Sequence, residues 1–83
     1  MRITAEHVRS LLDSELQGAA LALREGEILL LAGADLESPR YAGALVVATA
    51  AGLRGQLGDH RPSQRELEEL AAGIEAGVSN LGG

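Results

Sequence analysis

The sequence predicts a small α+β domain, ordered helix, β-hairpin, helix, helix, and three observations lead there. Apolar residues recur at helical spacing near both ends of the chain. Between them, glycines bracket two segments of strand length, and the whole is short, at 83 residues. A domain of that size buries only about 60–65% of the surface its unfolded chain exposes. We take residues 1–83 as one domain, completed by a second copy.

The first helix starts at Thr4, a residue type whose hydroxyl can accept from an orphan N–H, with Ile3 and Val8 placed to close over it as a hydrophobic staple. Val8, Leu11, Leu12 and Leu16 form its apolar face, and Gly18 is the expected stop. The period then changes. Leu21 and Leu23 share one face of a strand, Glu25-Gly26 supplies a tight turn, and Glu27-Ile-Leu-Leu-Leu-Ala32 follows as a second strand. That strand offers Ile28 and Leu30 to one side and Leu29 and Leu31 to the other, so it needs cover on both.

Ser38-Pro39 reads as a helix start, with Ser as N-cap and Pro at the first helical position. The expected helix runs from Ser38 to Leu57 and stops at Gly58. The rival reading makes Ala44-Leu-Val-Val-Ala-Thr49 a third strand, which its β-branched residues favour. As a helix, the segment would carry Ala44, Val47, Ala48 and Ala51 on one face with Gly52 beside them, small enough for a close helix–helix contact. Ser63-Gln-Arg-Glu66 is a capping box. The last helix then buries Leu67, Leu70, Ala71, Ile74, Val78 and Leu81 and leaves Glu66, Glu68, Glu69 and Glu75 in water.

Composition excludes several function classes. Cysteine is absent, which removes disulfides and thiolate metal sites. A net charge of −5, with the acids scattered, argues against a nucleic-acid surface, which needs clustered cations. No stretch of about 18 apolar residues is present to span a bilayer, and the first residues lack the apolar segment of a signal peptide. The expected location is cytoplasmic, with neither nucleic acid nor membrane as partner.

No residue pattern calls for catalysis. His7 and His60 are far apart in sequence, and Asp59-His60 has no nucleophile set beside it. Asp13-Ser14-Glu15 and Glu66 with Glu68-Glu69 resemble solvated helix faces more than convergent carboxylates, and the glycines form no phosphate loop. An acyl-carrier motif would place Asp directly before Ser near mid-chain. Here Asp35 and Ser38 are separated, and Pro follows the Ser. We expect no catalytic residue, no metal and no cofactor.

Gly18-Ala-Ala-Leu-Ala-Leu23, then Arg24-Glu-Gly26, then Ile28-Leu-Leu-Leu-Ala-Gly33 and the segment from Ser38 resemble, in order, the first half of a roadblock-type (dynein light chain roadblock family) domain. The resemblance covers residues 4–57. It implies a helix, a hairpin and an Ala-rich helix, used by a non-enzymatic, self-associating adapter.

The functional expectation is a homodimeric interaction or regulatory module, with a second copy, or another protein, as partner. The expected interface is Ile28, Leu29, Leu30, Leu31, Ala44, Val47, Ala48, Ala51 and Gly52. The alternative is a small enzyme or carrier protein whose site forms between subunits.

Overall fold

The computed structural model describes residues 2–82, with side chains described as far as Val78. Helix α1 spans Ala5–Asp13. Ile3 and Val8 are both buried, as the staple requires. The cap differs in detail: the imidazole of His7 accepts from the Thr4 N–H at 3.0 Å, so His7 serves the helix start. The helix ends before Gly18. Ser14 turns extended, and its hydroxyl accepts from the Leu16 N–H at 3.1 Å, offering the backbone an alternative to the helical ladder. Leu16, expected on the buried stripe, is therefore 48% exposed.

Strands β1 (Ala20–Arg24) and β2 (Glu27–Leu31) form the expected hairpin, with Leu21 opposite Leu30 and Arg24 opposite Glu27. The turn has positive φ at both Glu25 (52°) and Gly26 (84°). That is the primed turn whose twist matches paired strands. At the base of the hairpin Gly18 sits at φ 66°, and a Cβ there would lie 3.1 Å from the Gly33 Cα. Only glycine allows that approach, which the Gly33 N–H to Gln17 carbonyl bond closes at 2.9 Å.

The helix expected from Ser38 to Leu57 is not there. The segment comprises a single helical turn α2 (Gly33–Leu36), a 3₁₀ turn at Pro39–Tyr41, strand β3 (Leu45–Thr49) and helix α3 (Ala50–Leu57). Ser38 does cap, its hydroxyl accepting from the Arg40 N–H at 3.3 Å, but Gly43 at φ 90° prevents the turn from propagating. The β-branched run after it then pairs antiparallel with the free side of β1, giving a three-stranded sheet in the order β2-β1-β3. The third-strand reading of residues 44–49 is the correct one, and helical spacing among Ala44, Val47 and Ala48 has no meaning there. Thr49 ends β3 and caps α3 in one step, its hydroxyl accepting from the Gly52 N–H at 3.0 Å.

Helix α4 spans Gln64–Gly82 and carries the capping box as expected: the Glu66 N–H donates to the Ser63 hydroxyl, and the Ser63 N–H to the Glu66 carboxylate. Leu67 and Ala71 are buried, and Leu70 and Ile74 pack beside them. The side chain of Leu81 lies outside the described residues. Glu75 is not merely solvated, since its carboxylate accepts from the Ile3 N–H at 2.8 Å and ties the chain start to α4.

The core is one cluster in which α1, α3 and α4 meet one face of the sheet. Val8 and Leu11 from α1, Leu53 from α3 and Leu67 from α4 close over Ala19 and Leu21, with Ile28, Val47 and Ala48 at its margin. Ala20, Ala22 and Leu31 alternate onto the opposite face and are buried as well.

Candidate functional site

Strand β3 joins three properties that no other strand of the sheet combines. It is an edge strand, with β1 on one side and, among the described residues, no strand on the other. Its first two residues, Leu45 and Val46, are 45% and 42% exposed. Successive strand residues point to opposite faces, so the start of the strand is uncovered both above and below the sheet. Leu45 lies on the helix-bearing side, across from Leu23, and Val46 on the other side, across from buried Ala22.

The third property is electrostatic. No charged residue occurs from Tyr41 through Leu53. Natural edge strands discourage pairing with charge, proline, bulges or cover. Here a bulge leaves Val47 without a directly opposed residue, but charge and proline are missing. Ala44 before the strand and Ala51 and Gly52 after it are too small to obstruct an approaching backbone.

The residues expected at the interface are distributed over both edges. On β2, Leu31 is 4% exposed and serves the protein's own interior. Ile28 and Leu29 are half-buried, and Leu30, at 37%, is the most open of the four. On β3, Val47 and Ala48 turn toward the core, and Ala51 and Gly52 occupy the exposed first turn of α3. Sequence reasoning missed Leu45 and Val46. The signal for them was the β-branched run Leu45-Val-Val-Ala-Thr49, which as a strand alternates these two side chains off both faces.

Three of the titratable residues singled out in the sequence, His7, His60 and Glu66, have structural work. His7 serves the α1 start. His60 lies 2.9 Å from the Glu66 carboxylate, so the α4 capping box has a third member. Among the described residues no three His, Asp or Glu side chains gather as a metal site would require. Nor is any described helix long and apolar enough to cross a membrane.

The hydrogen bond from His60, followed by that from the Ser63 N–H, holds the Glu66 carboxyl below its ordinary value. A depressed folded-state pKa contributes stability that is present above the unfolded value and is lost as pH falls through the folded one. The contribution of Glu66 to the capping box is therefore lost in acid, as pH falls from the usual carboxylate range through the lowered folded value. In His60→Ala the Glu66 pKa is expected to rise toward that range, as followed by the pH titration of its side-chain carboxyl signal in NMR. An unchanged titration would show that His60 does not hold the carboxylate.

No known protein family, curated protein or solved structure matches this chain.

Proposed function

We propose that the chain is a non-enzymatic interaction module that works as a homodimer, with β3 as its self-pairing edge. One observation carries this: Leu45 and Val46 stand exposed on opposite faces of an edge strand inside a charge-free stretch. A surface of net charge −5 opposes its own copy wherever acids face each other, and β3 is where they do not. Antiparallel pairing about a two-fold axis brings the strand against itself, the interface being self-complementary by construction. The sheet then continues as β2-β1-β3-β3-β1-β2, with the open main-chain groups of both edges paired and Leu45 and Val46 covered. Of the roadblock-like series, a helix and a hairpin occur over residues 5–31, while the segment from Ser38 is not the Ala-rich helix that the resemblance implies, so the adapter reading rests on β3.

The solution mass at micromolar concentration tests the proposal. Two chains of 8.6 kDa each are expected per particle. A well-folded monomer at that concentration would remove the dimer and the function built on it.

A further inference from the structure

We propose that the cleft between the end of α1, the end of α3 and the loop 58–62 binds the phosphoryl group of a small phosphorylated polyol. The chain has seven basic residues, all Arg, against twelve acids. Three of them, Arg9 from α1, Arg54 from α3 and Arg61 from the loop, line this one cleft of about 480 Å³. The acids lining it are Asp13 and Asp59. Three arginines thus gather on one cleft of a protein whose net charge is −5; Glu6 pairs with Arg9 from outside the lining, so Arg54 and Arg61 are the two without an ion pair among the described residues.

Two of the arginines are anchored by uncharged acceptors. Arg54 Nη2 donates to the Leu12 carbonyl at 2.9 Å, and Arg9 Nη2 to Gln64 Oε1 at 2.6 Å, both uncharged acceptors. Among the described residues, Arg54 and Arg61 make no ion pair, and Arg9 has only Glu6 at 3.8 Å on the exposed surface. A guanidinium carries five N–H donors in a fixed fork, so one anchoring bond leaves most of them for a ligand. Anchoring explains Arg54, which satisfies a carbonyl in the last turn of α1, and Arg9, which ties α1 to α4. It does not explain Arg61, whose side chain makes no hydrogen bond among the described residues yet joins the other two.

The rest of the lining narrows the ligand. The volume is within the range of about 300–1,000 Å³ common for small-molecule sites. Arginine forks suit the acceptor oxygens of a phosphoryl group. Carboxylates are acceptors only, so Asp13 and Asp59 repel a bare polyanion and suit hydroxyl groups carried beside the phosphate. Leu12, Leu57 and Pro62 add apolar surface for the carbon frame.

The test is an NMR titration at constant ionic strength with glycerol 3-phosphate, inorganic phosphate, glycerol and citrate, following the guanidinium Nε–H signals. Glycerol 3-phosphate is expected to shift Arg9, Arg54 and Arg61 saturably, and to bind more tightly than inorganic phosphate or citrate. Arg24 and Arg65, which do not line the cleft, are expected to stay still. Arg61→Gln, which breaks no internal bond among the described residues, is expected to weaken binding about tenfold, the scale of one charge-assisted hydrogen bond, with melting unchanged. The proposal is overturned by absence of saturation, by equal shifts at Arg24 and Arg65, by equal binding of glycerol or citrate, or by parental affinity in Arg61→Gln.

Discussion

Leu11→Ala is expected to lower the stability of the fold by about 2–5 kcal/mol, the range for truncating a fully enclosed leucine. Leu11 has no exposed surface and sits where α1 faces the sheet and α4, among Val8, Leu21, Leu53 and Leu67. Phe and Trp are absent from the chain, and its single aromatic, Tyr41, is outside the core cluster. No large ring is therefore available to collapse into the space left behind. For a chain of this length the whole stability is about 4–12 kcal/mol, so the variant stands near the point of unfolding. Leu16→Ala is the comparison: at 48% exposure, its effect is expected to stay within about 0.5 kcal/mol. Urea denaturation of both at one protein concentration decides it. A loss below about 1 kcal/mol for Leu11→Ala would mean that this position can be repacked and that the core is looser than it looks.

The second large effect is on assembly. Val46→Lys places on the open edge the charge that natural edge strands use to prevent pairing. In the proposed dimer both copies carry the change, so each of the two facing edges gains an ammonium group. The expected result is a monomer of parental secondary structure, because Val46 is 42% exposed and contributes little to the protomer interior. Leu30→Lys on the other edge is expected to leave the dimer intact. The reverse pattern, with Leu30→Lys dissociating and Val46→Lys not, would move the interface to β2 and overturn β3 as the self-pairing strand.

The parts of the fold visible in the sequence are those fixed by local chemistry. The Glu25-Gly26 turn, the Ser63–Glu66 capping box and the Ile3–Val8 staple each depend on a few neighbouring residues, and each stands where its residues place it. The segment 38–57 misled because its start signal, Ser38-Pro39, is real but local: it starts a single turn. What decides that Leu45–Thr49 is extended is the vacant side of β1, a partner more than twenty residues away in sequence. The candidate surface was hidden by the same error. A helix would have sheltered Leu45 and Val46, whereas a strand at the edge of a sheet displays them. Glu75 shows a second limit, since its bond to the Ile3 N–H joins opposite ends of the chain and has no local signature.

The charge-free strand also sets how the assembly answers to ionic strength. Interfaces stitched by ion pairs loosen as electrolyte is added. An edge with no charges has none to screen, while the net −5 on each copy repels over distances comparable to the Debye length, about 10 Å at 0.1 M. Added sodium chloride therefore relieves only the repulsion, and the proposed self-association through β3 is expected to tighten as the solution becomes saltier. Binding at the arginine-lined cleft, as proposed, is expected to respond in the opposite sense, because chloride competes for the guanidinium groups. If both proposals hold, the two contacts respond in opposite senses to the same electrolyte, and dilution of the buffer is expected to favour the small ligand over the second copy.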